Sequence, residues 1–346
     1  MVVECPLPIQ SYERITLGHG GGGKLSYNLI SKLFLPLLTN SYLQELHDGA
    51  VFPVDAGRLA FTTDSFVVSP AFFPGGNIGN LSVNGTINDL AMCGARPLYL
   101  SLALILEEGF LVQDLFKVIT SISNACRDAE VQVITGDLKV VEQGKGDGIF
   151  INTTGIGEVI NGIHISPAQI RPGDKILLSG SLAEHGIAIL SIREGLSFET
   201  ELHSDSTNLW PLVKRVLETG GKDVHALRDA TRGGVASVLN ELSKSAGVGI
   251  VIEESEIPVR EDVRGACEIL GLDPLYVANE GKFVTFVDAN SAETILQKMR
   301  QHKLGEEARI IGEVTSAHPG IVRLKTVLGG SRVVEMISGE QLPRIC

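Results

Sequence analysis

RPGDKILLSG, residues 171–180, divides the chain into two differently patterned halves. Arg171-Pro172-Gly173-Asp174 reads as a turn, because proline and glycine together end whatever regular structure precedes them. Beyond it, strand and helix signals alternate. A strand over Lys175–Ser179 is followed by helices over Glu184–Glu194, near Leu209–Glu218, and from Gly234 to Lys244. Strands near Ile250, Phe283 and Ile310, with helices around Val263 and Ile295, complete an α/β layer domain.

Before the turn, the apolar runs are short and strand-like: Leu59–Val68, Tyr99–Leu106, Val131–Ile134 and Ile149–Thr154. One helix interrupts them, since Leu111, Leu115, Val118, Ile119, Ile122, Ala125, Cys126 and Ala129 recur at three- and four-residue spacing and share a face. A chain of 346 residues suits two such cores. The expected fold class is therefore α/β (α+β). Its parts are a glycine-rich arm over 1–45, a β-rich domain over 46–160, an α/β layer domain over 161–330 with a hairpin through Gly329-Gly330, and a tail over 331–346.

Hydrophobic residues make up 44% and charged residues 20%, the balance of a globular protein. Lys+Arg of 29 against Asp+Glu of 41 leaves a net charge of −12, which repels polyanions and argues against nucleic acid. A strongly anionic small substrate would then need local metal ions or backbone N–H groups. Cys5, Cys93, Cys126, Cys267 and Cys346 form no CxxC pair, so neither a disulfide framework nor a zinc site is indicated and a reducing cytoplasm is expected. No apolar run reaches the length of a membrane span, and the start lacks a signal-peptide pattern, so no membrane association is expected.

Four aspartates stand beside turn-formers at the ends of strand-like runs: Asp48 in HDGAV, Asp64 in FTTDSF, Asp89 in GTINDLAMCGA and Asp137 in ITGDLK. Carboxylates gathered in this way can hold Mg²⁺ and bridge it to nucleotide phosphates, although each taken singly reads as a cap or Asx-turn. Gly18, Gly23 and Lys24 fit the spacing GxxxxGK, but Leu25 stands where a P-loop needs a hydroxyl. The run Gly20-Gly21-Gly22 with Lys24 is better read as an arm offering N–H groups to phosphates, with a plain linker as the alternative. Asp229 and Arg232, in RDATRGG before a helix, point to an anion site at that helix start, or else to an ordinary N-cap by Thr231 or Asp229. Lys139 follows Asp137 by two residues and so shares its strand face, and Glu280 precedes Gly281. A surface ion pair and a turn carboxylate are the plainer readings of those two.

GHGGGGK, TTDSFVVSP, FFPGGNIG, GTINDLAMCGA, TGDLKVV, DATRGG, DPLYVANEG and the terminal PRIC, in this order from near residue 14 to the last, resemble the hydrogenase maturation factor family HypE. That family lies within the superfamily of aminoimidazole ribonucleotide synthetase and selenophosphate synthetase, whose members phosphorylate an oxygen or a selenium with ATP. The resemblance implies an N-terminal domain that pairs across a homodimer into a barrel, a C-terminal α/β domain and a flexible tail. It implies ATP held by Gly20, Gly21, Gly22, Lys24, Asp64, Asn88, Asp89, Asp137, Asp229 and Arg232, and Mg²⁺ held by Asp48, Asp64, Asp89 and Asp137. Cys346 would receive a carbamoyl group from the carbamoyltransferase HypF. Dehydration to a thiocyanate would follow with Lys139 and Glu280 as catalytic groups, and the cyanide would pass to iron held by HypC and HypD. Two positions depart from the family pattern: Asn77 stands where an acidic residue is usual, and Leu138 where threonine is usual. The competing readings are a small-molecule synthetase of the purine or thiamine pathway, which needs no terminal cysteine, and a non-catalytic scaffold, which turns over no ATP.

Overall fold

The computed structural model describes residues 12–16, 19, 28–40, 57–195, 202–336 and 344–346. Gly20, Gly21, Gly22, Lys24 and Asp48 lie outside the described residues. A wide helical turn, Ile30–Phe34, leads into the short helix α1 (Leu35–Leu38). Strand β1 (Leu59–Phe66) is followed by a small ladder of β2 (Phe72–Phe73) with β3 (Gly76–Asn77). Helix α2 (Ile78–Met92), β4 (Ala95–Glu107), helix α3 (Val112–Asp128), β5 (Gln132–Val141) and β6 (Ile149–Val159) complete the first half.

The long strands form a sheet in the order β1-β6-β4-β5. Only β4 and β5 are parallel, because α3 carries the chain back across the sheet between them. Leu100, Leu102, Leu104 and Leu106 alternate inward onto α2 and α3, while Phe61 and Ile105 point outward and stay 70% and 43% exposed. Thus one face of this sheet is covered by helices and the other is open, with apolar side chains on it. Asp64, Thr153, Leu102 and Gly136 form one row across the four strands.

The turn at 171–174 is present: Gly173 takes a φ of +100°, and the Arg171 N–H donates to Asp174 Oδ2 at 2.8 Å. Strand β7 (Lys175–Leu178) follows, then helices α4 (Glu184–Arg193) and α5 (Trp210–Gly220), β8 (Val224–Asp229), α6 (Gly234–Ala246), β9 (Gly249–Glu253) and α7 (Glu261–Leu270). Strand β10 (Phe283–Val287), α8 (Ala289–Arg300), β11 (Arg309–Thr315) and the hairpin of β12 (Val322–Lys325) and β13 (Ser331–Val334) end it. The sheet order is β13-β12-β9-β11-β7-β10-β8. Both faces are covered. Ile176 and Leu178 pack with α4, α6 and α7, whereas Leu177 on the other face packs with α5 and α8.

Three elements depart from the expectation. Asp89 stands on helix α2 and Asp137 in the middle of β5, neither at a strand end, and β8 is a strand that the apolar runs do not mark. Every residue of α2 except Asn80 and Asp89 is buried, because the helix is wedged between the first sheet and the second domain. A helix buried all round has no polar face, so no apolar stripe marks it in the sequence. Asn77 caps it: its side chain accepts from the Gly79 N–H at 2.8 Å, and its own N–H donates to Asn80 Oδ1 at 2.7 Å. A reciprocal cap of this kind is worth about 1 kcal/mol, which gives the unusual Asn77 a structural task.

Candidate active site

Asp64 on β1, Asp89 on α2, Asp229 at the end of β8, and Glu280 in the loop before β10 converge with Arg232 and Cys346 where the two domains meet. Asp89 Oδ2 accepts from the Thr62 hydroxyl at 2.8 Å, and Asp64 Oδ1 accepts from the Ser65 N–H at 2.8 Å. Burial raises the pKa of both aspartates. Asp229 is pushed up to about 7, first by burial and then by the charge of Asp89. Glu280 rises well above the ordinary glutamate value through burial, then through Asp229, Asp205 and Asp64, with Arg232 opposing. Its Oε1 is buried with no hydrogen-bond partner. Burial is the largest cause of every one of these shifts, and at Asp64, Asp229 and Glu280 neighbouring carboxylates add to it against Arg228 and Arg232, so the site buries an excess of negative charge.

That excess suits a divalent cation. Among the described residues, however, no three His, Cys, Asp or Glu side chains are arranged to hold a metal by themselves. Mg²⁺ commonly takes only one or two protein carboxylates and completes its shell with phosphate oxygens and water, so Asp64 and Asp89 fit it in company with a nucleotide.

The start of α6 supplies the opposite polarity. Its N-cap is Gly233 with a φ of +74°, and no side chain caps it, so neither Thr231 nor Asp229 fills that role. Gly234 has a φ of +60°, and a Cβ there would lie 2.4 Å from the Leu275 carbonyl oxygen, so only glycine fits. The first N–H groups of α6 thus have no side-chain acceptor, as an anion site requires.

Asn88, one residue before Asp89, spends its amide on the protein. Its Nδ2 donates to the carbonyl oxygens of Thr207 at 3.0 Å and Glu280 at 3.4 Å, and its Oδ1 accepts from the Leu209 N–H at 2.8 Å. It therefore clasps the first domain to the loop that carries Glu280. Asp205 and Lys282 brace the same loop: Asp205 accepts from the Glu280 N–H at 3.0 Å and pairs with Lys282 at 3.1 Å, and Lys282 also pairs with Glu184 at 2.9 Å.

Asp137 and Lys139 stand elsewhere. Lys139 Nζ reaches both Asp137 oxygens, at 2.7 and 2.8 Å, and each side chain is 63% exposed. They lie on the open face of β5, three strands from β1, a separation of roughly 14 Å at ~4.8 Å per strand. A single chain does not bring them to Asp64 and Asp89. Leu138 between them packs on the helix side.

The end of the chain lies inside the site. Cys346 is 8% and Ile345 1% exposed. The Val67 N–H donates to the Cys346 main-chain oxygen at 3.0 Å, and the Ser69 N–H to that of Arg344 at 3.2 Å, so the tail runs antiparallel to the segment after β1. Arg344 Nε donates to the Val67 carbonyl oxygen at 3.0 Å, and its guanidinium pairs with Asp147 and lies 5.9 Å from the Phe150 ring centre. Burial of Ile345 alone contributes about 2 kcal/mol. The Cys346 thiol is pushed far up, by burial first and then by Glu280, so it rests as the un-ionised thiol. His185, Arg193, Asp205 and Lys282 carry no sequence signal that would have marked them. Only Lys282, two residues after Glu280, lies near a motif.

Residues 46–159 match the family "AIR synthase related protein, N-terminal domain", and residues 171–325 match "AIR synthase related protein, C-terminal domain". Fold and site together therefore define a two-domain AIR synthase related protein. The chain is 55% identical over 342 residues to carbamoyl dehydratase HypE of Cupriavidus necator, covering 99% of this chain and 97% of that one. The chain belongs to the HypE family. A crystal structure of the hydrogenase maturation protein HypE in complex with ATP superposes with a TM-score of 0.92 at 47% identity, covering 96% of this chain and 99% of that one. HypE from a HypE–HypF complex does so with a TM-score of 0.79 at 46% identity, covering 89% and 99%. No helix among the described residues is long and apolar enough to cross a membrane.

Proposed function

We propose that this protein is an ATP-dependent carbamoyl dehydratase whose substrate is its own S-carbamoylated Cys346. The observation that carries the reading is the seating of Cys346 among Asp64, Asp229, Glu280 and Arg232. A small-molecule synthetase of the same fold has no use for such a tail. ATP is the phosphoryl donor, as the ATP complex of a HypE at 47% identity supports.

Oxide and hydroxide are poor leaving groups, so the carbonyl oxygen of S–C(=O)–NH₂ is first converted to a phosphate ester by the γ-phosphoryl group. Loss of phosphate then forms S–C≡N, and the two N–H protons leave the nitrogen, one to Glu280 and one to the departing phosphate. Mg²⁺ would screen the phosphate charge and would be held by Asp64 and Asp89, with Asp48 and Asp137 as further ligands. Asp229, Arg232 and the α6 start face the anionic group, and the arm at Gly20, Gly21, Gly22 and Lys24 covers the phosphates. Glu280 accepts an N–H proton, and its raised pKa makes its carboxylate a stronger base than one in water. Burial of the site keeps water from the activated intermediate. A tethered group also needs no second encounter with the enzyme.

Because Asp137 and Lys139 lie at the edge of the sheet opposite Asp64, we assign them to the site of a second copy. The open apolar faces of two first domains close into a barrel across a homodimer, and each β5 edge supplies Lys139 to stabilise charge on its neighbour's transferring group. Domain limits at 1–45, 46–160 and 161–330 fit this scheme, except that the second domain runs on through β13 (Ser331–Val334) and the tail begins after it. That flexible tail leaves the site to be carbamoylated by HypF and to deliver cyanide to HypC–HypD in the cytoplasm. Intact-protein mass spectrometry after incubation with the carbamoylating partner, with and without ATP, tests the reading. Loss of one water from the carbamoylated chain only when ATP is present is the expected result. A carbamoylated mass that ATP leaves unchanged would sink it.

A further inference from the structure

His185 on α4 is fully buried and reaches the tail one peptide before the reactive cysteine: its Nε2 lies 2.8 Å from the Ile345 carbonyl oxygen. A carbonyl oxygen can only accept, so Nε2 carries the proton. On the other side of the ring, Nδ1 lies 2.8 Å from Ser204 Oγ. That hydroxyl already accepts from the Ser206 N–H at 3.1 Å, which leaves its own proton for Nδ1. The chain Ser206 N–H, Ser204 O–H, His185 Nε2–H and Ile345 C=O thus has one direction, and it fixes the tautomer that grips the tail. Phe73 meets the imidazole in a T-shaped contact, with ring centres 5.7 Å apart. Ser204 is itself anchored, through its N–H, to the Pro74 carbonyl oxygen at 2.8 Å. Arg193, two helical turns beyond His185, donates to the carbonyl oxygens of Arg344 and Ser69 and so holds the preceding residue of the tail.

We infer that His185, oriented by Ser204, is a positioning residue that latches the terminal dipeptide in the site and sets how readily Cys346 leaves it. The inference deepens the dehydratase reading and rests on it only for the role of Cys346 as carbamoyl acceptor. A latch must do two opposed things. Held closed, it keeps the sulfur against Glu280 for dehydration. Released, it offers the thiol to the carbamoyl donor. Weakening it should therefore raise the accessibility of Cys346 and slow the dehydration of a group already attached.

Timed alkylation of the full-length chain with iodoacetamide, read peptide by peptide by mass spectrometry, tests this. His185→Ala should speed alkylation of Cys346 about tenfold, as expected for loss of one buried hydrogen bond, and Ser204→Ala should act in the same direction but less. His185→Gln, whose amide N–H can replace Nε2–H, should return most of the protection. The buried Cys126 and Cys267 are the control for folding, and their slow alkylation should not change. Wild-type alkylation of Cys346 in folded His185→Ala would overturn the inference, as would a Gln variant no better protected than Ala. Alkylation needs neither ATP nor a carbamoyl group, so it reports on the latch even if the dehydratase reading fails, which the mass of the carbamoylated tail decides separately.

Discussion

The hydroxyl of Thr62 on β1 donates to Asp89 Oδ2 on α2 at 2.8 Å, tying the sheet of the first domain to the acidic end of the helix that separates the two domains. The bond favours the ionised carboxylate against a burial that disfavours it. If Asp89 holds Mg²⁺ as proposed, Thr62→Val should lower ATP turnover by about 10–100-fold while leaving the fold intact, the usual effect of removing a group that orients a metal ligand. Asp89→Asn should cost more. Turnover at saturating Mg²⁺, with circular dichroism as the check on folding, measures both, and wild-type turnover in Asp89→Asn would remove it from the metal site.

Glu280 buries a carboxyl whose Oε1 has no partner and whose pKa is raised. A raised acid contributes its stability at low pH and loses it as pH rises toward the shifted value. Glu280→Gln removes that loss. The variant should melt about 2–4 °C higher than wild type near pH 8 and match it more closely near pH 5. It should also accept a carbamoyl group and then stall. Loss of water from its tail peptide at the wild-type rate would show that Glu280 is not the base.

Asp205 behaves oppositely. Despite complete burial, which raises its pKa, the ammonium of Lys282 and the Glu280 N–H leave it below its ordinary value of 3.8. A depressed carboxyl contributes stability above its unfolded pKa and loses it as pH falls through the folded one. The wild-type melting temperature should thus fall steeply below about pH 4, and Asp205→Asn should flatten that limb while lowering stability at neutral pH. Parallel acid limbs for the two proteins would assign the acid sensitivity to other groups.

If Lys139 serves the site of a second copy, two inactive variants can repair each other. Equal amounts of Glu280→Gln and Lys139→Ala, mixed and allowed to exchange subunits, should recover about one quarter of wild-type dehydration, since half the dimers are mixed and each has one intact site of two. A site complete within one chain would recover none. The apolar open face, with Phe61 70% exposed, should then be covered in solution, and sedimentation equilibrium at micromolar concentration should give a dimer.

Much of this architecture was legible. The turn at Pro172-Gly173 and the amphipathic stripe from Leu111 to Ala129 each left a local signature, and both elements are present. Helix α2 left none, because burial on nearly every side erased the polar face that makes a helix readable, and Asp89 was set at a strand end as a result. The motif resemblance implied that Asp64, Asp229 and Glu280 act on Cys346, but the residue types and local patterns by themselves do not show how the fold brings them together. That meeting depends on contacts between residues far apart in the chain, such as Val67 with Cys346 and His185 with Ile345. Nor could residue types predict the separation of Asp137 from Asp64. It follows from strand order, which is set by how helices cross the sheet and not by any one segment.

The seating of Cys346 also has a chemical consequence for the lifetime of the protein. Peroxide attacks thiolate and spares thiol, so a sulfur held un-ionised at 8% exposure is a poor target for oxidation. If the tail leaves the site to be carbamoylated, as proposed above, vulnerability is confined to the moments when it is outside. Oxidative inactivation of a population should then follow how often its molecules are engaged in handover, not how long they have stood idle, and a chain waiting for a carbamoyl donor ages slowly.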